Sequence, residues 1–179
     1  SCNLALTNSH RLAKEVQRKF LDMKLDEDDD LRGATIKISG CPNSCGQHEV
    51  ATIGFFGGGA RVGNDMYPNY TMSLGGRFDE GAMLGATCAR VPVKRVIPVL
   101  LKIIELFKEN KQKNDSLVSW LDRVVHGNGE SSIKSVNDIK KIIAPFLIPP
   151  TKDEDPDFFL DYGSDTSYHT ITGKGECAA

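Results

Sequence analysis

The chain has 179 residues, 40% of them apolar and 26% charged, with a formal net charge of −2, a mixture that fits one compact domain with appendages rather than two full domains. So even a balance lacks the concentrated Lys and Arg that nucleic acid or anionic lipid requires, so neither is expected as a partner. No apolar run is long enough to cross a membrane and no basic stretch leads into an apolar one at the N-terminus, which makes the cytoplasm the expected location.

Ser1-Cys2-Asn3-Leu4-Ala5-Leu6 lacks an initiator Met and runs at once into an apolar segment, so the chain is read as a fragment cut inside a structural unit. Asn8 or Ser9 can cap a helix whose apolar positions Leu12, Val16 and Phe20 recur every fourth residue, ending near Leu25. Asp26 to Asp30 is a run of like charge and is expected as a solvated loop. It lacks the alternating ligands and central glycine of a calcium loop. Ala34 to Ser39 alternates in the period of a strand, and Gly40 stops it just before Cys41. Val50 to Phe56 reads as a second strand, Gly57 to Asn64 as a glycine-rich loop, and Tyr70 to Leu74 as a third strand closed by Gly75-Gly76.

Pro92 suits a helix start, and Val96, Val99, Leu100, Ile103, Ile104 and Phe107 follow as a broad apolar stripe. Pro98 must either kink this helix or move its start forward. Between Pro92 and Lys113 six basic residues stand against two acidic ones. They are read as a solvated face, the sharper alternative being a docking surface for an acidic electron donor. Asp115 can cap the next helix, which ends at Gly127, and Ser135 to Phe146 reads as another. After Thr151 two basic residues stand against seven acidic ones. That segment is expected as an extended tail draped on another surface or partly disordered. The expected fold is α+β, a small mixed or antiparallel sheet backed by helices, with a body over residues 1–150 and an acidic tail over 151–179.

Five cysteines, an odd number without the spacing of a secreted disulfide framework, favour ligation or redox chemistry over structural bridging. Cys41 and Cys45 flank Pro42-Asn43-Ser44, and a proline-started turn lets both thiolates reach one metal centre. Spacing alone leaves buried free thiols, or a zinc site with His48 as third ligand, as alternatives. Cys88 lies among small residues and is expected in the core. Cys177 stands in a polar tail, and His10, His126 and His169 have no evident catalytic partner. The Gly57–Gly63 segment could cradle an anion beside Arg61, although a mobile hairpin connection is preferred.

The run Ser39-Gly40-Cys41-Pro42-Asn43-Ser44-Cys45-Gly46-Gln47 resembles the second cysteine pair of the sirohaem-dependent sulfite and nitrite reductases. These hold a 4Fe-4S cluster by a Cys-x5-Cys pair followed by a Cys-x3-Cys pair. The resemblance extends to Cys2-Asn3-Leu4-Ala5-Leu6, to Ala51–Gly57 and Leu74-Gly75-Gly76, and on to about residue 125. Gly175-Glu176-Cys177 is similar to tails of some bacterial and archaeal relatives. The resemblance implies that Cys2, Cys41 and Cys45 are cluster ligands and that Cys45 also bridges to the sirohaem iron as the electron path. It further implies that Asn43 and Ser44 bind sirohaem carboxylates, since N–H groups in a tight turn favour anions.

In the family the first cysteine would fall six residues before Cys2, outside the chain, and the Arg and Lys that bind the anionic substrate lie largely in that missing N-terminal part. The resemblance therefore implies that this part of the same enzyme completes the site. The isolated chain is expected to be inactive and free of both cofactors. The implied reaction is six-electron reduction of sulfite or nitrite, fed by ferredoxin or a flavoprotein, and Ser44 with Gly46-Gln47 resembles the nitrite form more. The reading from another class is a non-enzymatic module that binds zinc through Cys41, Cys45 and His48 or simply packs them.

Overall fold

A computed structural model describes residues 4–78, 81–127 and 132–170, leaving Cys2 and Cys177 outside the described residues. Asn8 accepts the Arg11 N–H and starts helix α1, Ser9–Asp22, whose Leu12 and Val16 turn inward. Four strands follow, β1 (Ile36–Ser39), β2 (Ile53–Val62), β3 (Asp65–Leu74) and β4 (Ala86–Pro92), forming a sheet in that order. The first pair is parallel and the other two are antiparallel. The expected small mixed sheet backed by helices is thus present, but its strands differ from expectation. Residues 57–62 belong to β2, not to a glycine loop, and β4 covers a stretch read only as a site for a buried thiol.

The glycines of β2 misled because glycine usually interrupts a strand; here it lets other chain segments press against the strand. A Cβ on Gly57 would lie 2.5 Å from the Gly40 carbonyl oxygen and closer still to the Thr7 hydroxyl. Parallel pairing of β1 with β2 has a second consequence. The chain must leave the end of β1 and travel back before β2 can begin, so residues 40–52 form a crossover rather than a hairpin. The cysteine turn is the first part of that crossover.

Helices α2 (Val96–Asn110), α3 (Leu117–His126) and α4 (Val136–Ile143) back the sheet. Pro98 falls in the first turn of α2, where its missing N–H leaves no internal bond broken, so the start moves forward from Pro92 to Val96. Ser116, not Asp115, caps α3, while Asp115 pairs with Arg123 at the far end of the same helix. The core joins Leu12 and Val16 to Phe55, Tyr70, Met72 and Leu74 of the sheet and to the apolar stripes of the three helices. Cys88 is buried in it as expected, and burial pushes its thiol up to about 11.

Two charged segments differ from the expected solvated surface. Asp28 and Asp30 lie in a turn folded onto α2, where Lys108 reaches both at 2.7 Å and Lys111 pairs with Asp30. The two lysines hold the Asp30 carboxyl below the usual carboxylate range. Lys94 and Arg95 sit over the rings of Tyr162 and Phe158, at 4.9 and 5.8 Å. The segment after Thr151 packs on this chain's own hairpin: Phe158 and Phe159 are buried against Tyr67, with Ala60 and Val62 alongside.

Trp120 is fully buried against Phe107 at 5.8 Å, and its Nε1 has no hydrogen-bond partner among the described residues. The ring therefore contributes volume rather than polarity. Trp120→Ala is expected to cost about 3–5 kcal/mol in urea unfolding. Trp120→Phe should cost well under half of that, because no hydrogen bond is lost with the indole.

Candidate functional site

The site begins where β1 ends. The Gly40 carbonyl accepts the N–H groups of Leu6 and Thr7 at 2.8 and 3.2 Å, which binds the N-terminal segment to the start of the cysteine turn. That approach needs glycine at 40, since a Cβ there would stand 2.9 Å from the Ala5 Cβ. Within the turn, Ser44 and Gln47 take left-handed backbone conformations, with φ of 57° and 54°, and the Gln47 N–H closes onto the Ser44 carbonyl at 2.7 Å. Non-glycine residues adopt this conformation at a cost, and it persists where the surroundings enforce it. Here it leaves Cys41 half-buried and Cys45 exposed.

The enforcing contacts lie beneath. Ser39 Oγ accepts the Gly46 N–H at 3.1 Å and meets His48 Nδ1 at 2.9 Å. His48 is 2% exposed, with its ring 4.9 Å from Phe56. Burial lowers its pKa, opposed only in part by Glu49. A neutral imidazole taking the Ser39 proton on Nδ1 satisfies both groups, and Ser39 then holds the residue that follows Cys45.

Cys41, Asn43 and Cys45 line one cavity of about 300 Å³. Its other wall comes from Ala5 and from Ser9, His10 and Ala13, which share one face of the first turns of α1. The structure thus brings three of the expected site residues together. Ser44 shapes the bend but does not line the cavity, and Cys2 lies outside the described residues, three positions before the lining Ala5. His48 faces Ser39 and Phe56 instead of the thiols. Among the described residues no three His, Cys, Asp or Glu side chains converge as a metal site, so the zinc alternative loses its third ligand. The loop expected to cradle an anion beside Arg61 is instead strand: Gly57–Val62 pairs with β3, and Arg61 does not line the cavity.

Sequence reasoning missed Ser39, Ala5, Ser9 and Ala13, and gave His10 no role. The helical spacing of Ser9, His10 and Ala13 was a usable signal. The folding of α1 beside the turn was not, because it depends on a contact between residues 6–7 and residue 40.

Comparisons with known proteins agree on one family. The model of the nitrite and sulphite reductase 4Fe-4S domain matches residues 1–129. The chain is 28% identical over 122 residues to the assimilatory ferredoxin-dependent nitrite reductase of Haloferax mediterranei, covering 68% of this chain and 21% of that protein. It is 35% identical over 97 residues to the ferredoxin–nitrite reductase of Synechococcus elongatus, covering 51% of this chain and 18% of that protein. To the sulfite reductase [NADPH] hemoprotein beta-component of Methylobacterium nodulans it is 27% identical over 127 residues, 69% of this chain and 19% of that protein. The chain spans about a fifth of the length of these curated relatives. A solved structure of the Mycobacterium tuberculosis NirA protein shares the fold, with a TM-score of 0.53 at 24% identity over 64% of this chain and 21% of that one.

Removing the Ser39 hydroxyl leaves the His48 ring and the Gly46 N–H without their shared partner, and Ser39→Ala is expected to cost about 1–3 kcal/mol in denaturant unfolding. The burial-lowered pKa of His48 has a definite sign in stability. The unfolded chain binds the extra proton first, so stability is full above the ordinary histidine value of about 6.5 and falls as pH drops from there toward the folded value. That part of the pH dependence should be absent from His48→Gln.

Proposed function

The chain belongs to the nitrite and sulphite reductase 4Fe-4S domain family, and from that premise we propose that it is the cluster-binding part of a reductase that converts nitrite or sulfite at a sirohaem. One observation carries the reading. Two accessible cysteine thiols on a single strained bend line one cavity, and among the described residues no third His, Cys, Asp or Glu side chain converges with them as a metal site. Such a donor set fits a soft, sulfur-rich centre completed by further thiolates, as a 4Fe-4S cluster is. Iron–sulfur ligation suits it better than zinc, whose common sites add a second close pair or histidines.

On this reading Cys2, Cys41 and Cys45 are cluster ligands, a fourth comes from chain outside these 179 residues, and Cys45 is shared with the sirohaem iron. When bound, the coupled pair of metal centres supplies electrons one at a time to the substrate anion. The chain's own residues hold and shape that site. Cys45 is the most exposed of the described thiols and is held by the hydrogen bond from the next residue to Ser39. Asn43 lines the same cavity, and its amide, with the backbone N–H groups of Asn43 and Ser44, is offered to the carboxylates of sirohaem. His10 on the opposite wall is the titratable side chain that α1 contributes.

The electron donor is taken to be ferredoxin or a flavoprotein, the former in keeping with the names of the relatives from Haloferax and Synechococcus. Nitrite is the favoured substrate, supported by Ser44 and Gly46-Gln47 in the turn. No described helix is long and apolar enough to cross a membrane, and the cytoplasm is the proposed location. Residues 1–150 are taken as the cofactor-binding domain and 151–179 as an added C-terminal segment.

In the full-length enzyme, Cys41→Ala and Cys45→Ala are each expected to abolish most bound iron and acid-labile sulfide and to remove the visible haem-like spectrum. Retention of iron and colour in both variants would sink the reading. Assayed with reduced viologen, the wild-type enzyme should turn over nitrite faster than sulfite; the reverse order would move the substrate assignment without touching the cluster.

A further inference from the structure

The family match stops at residue 129, yet a second grip on the N-terminal part of the site, besides that of Gly40, comes from beyond it. We propose that residues 151–170 form a strap and that Asp161 on it is a positioning residue for the cysteine site. Its carboxylate holds the segment Leu6–Asn8, and with it the wall that Ala5 and the start of α1 give the cavity, against the Cys41–Cys45 bend. This inference rests on the reading of the three cysteines as cluster ligands.

The strap is fixed to the β2–β3 hairpin at several points. Phe158 and Phe159 are 1% and 0% exposed beneath Tyr67. Lys152 pairs with Asp65 at 2.9 Å. The Tyr168 N–H donates to the Phe159 carbonyl at 2.8 Å, and its hydroxyl donates to the Gly58 carbonyl at 3.2 Å. These contacts close residues 159–168 into a loop standing over the start of α1.

Asp161 sits inside that loop, and its two oxygens are used differently. Oδ1 accepts the N–H of Tyr162 at 2.8 Å, which fixes the carboxylate to its own loop. Oδ2 accepts the N–H of Asn8 at 2.6 Å, 153 residues away in sequence. Asn8 is the residue whose side chain caps α1, so one carboxylate secures the residue on which both the helix start and the preceding segment turn. Burial raises the Asp161 pKa, while the two N–H bonds and Lys94 favour its charge.

The segment it holds is pinned from the other side by Gly40, the neighbour of Cys41, through Leu6 and Thr7. Residues 6–8 are therefore clamped between the strap and the cysteine turn. Fixing Leu6–Asn8 thus holds Ala5, Ser9 and His10 across the cavity from Cys41 and Cys45.

The test uses full-length enzyme carrying Asp161→Ala or Asp161→Asn beside wild type. Three readouts are taken: hydrogen exchange over residues 4–8, iron and acid-labile sulfide retained under a chelator challenge, and the electron paramagnetic resonance spectrum of the reduced protein. Asp161→Ala is expected to speed exchange of residues 6–8 at least tenfold with α2 unchanged, to lower retained iron several-fold, and to shift or broaden the spectrum. Asp161→Asn keeps an acceptor oxygen and should recover part of each. If Asp161→Ala does not fold, Asp161→Asn carries the same comparison with smaller effects. Unchanged exchange would overturn the strap. Faster exchange with wild-type iron retention and spectrum would overturn the positioning role. The cluster reading fails separately, through Cys41→Ala and Cys45→Ala, whereas exchange over residues 4–8 reports on the strap whatever those variants show.

Discussion

The site depends on one close crossing of three backbone segments. Thr7, 4% exposed, lies between Gly40 at the end of β1 and Gly57 within β2. Leu6 and Thr7 both donate to the Gly40 carbonyl, and neither glycine has room for a side chain. A Cβ at either position would force the N-terminal segment off the sheet. Ala5, Ser9, His10 and Ala13 would move with it, and the cavity beside the cysteines would lose its second wall. The fold brings the parts of this site together through main-chain contact, which leaves side chains free for chemistry.

The same economy holds the bend itself. Two residues with positive φ would be unstable in an isolated turn, since L-residues other than glycine reach that region only at a cost. Ser39 supplies compensation from below by accepting the Gly46 N–H, and His48 in turn satisfies Ser39. Each group is buried deeper than the one above it, from exposed Cys45 to His48. Rigid support under an exposed ligand is what a metal site needs if its geometry is to survive changes in charge.

How far the sequence could be read follows from which interactions are local. The cap at Asn8, the apolar stripe of α2 with its start set by Pro98, and the cysteine turn at a strand's end are all decided within a few residues, and all were legible. The glycine run of β2 was not, because glycine in a strand makes sense only when the segments pressing on it are known: Thr7 and Gly40 at Gly57, and Tyr168 at Gly59. Strand β4 escaped notice because its small residues are explained by what packs on them. At the site, Cys41, Asn43 and Cys45 could be named together from their spacing. The far wall of the cavity could not, since it rests on pairing across more than thirty residues.

Charge shows the same limit most clearly. Read along the chain, the acidic run at 26–30 and the basic excess of α2 look like two separate solvated features, the second with the charge to attract an acidic partner. In space they meet: Asp28 and Asp30 take up Lys108 and Lys111, while Lys94 and Arg95 lie over rings of the C-terminal segment. Partly exposed pairs of this kind add little stability one by one. Their effect is to spend charge inside the molecule, so that five of the six cations counted between Pro92 and Lys113, Lys102 through its pair with Glu105 among them, already face groups of this chain. A surface that steers an acidic donor needs unspent positive potential, and a count of lysines along a helix overstates how much of it there is.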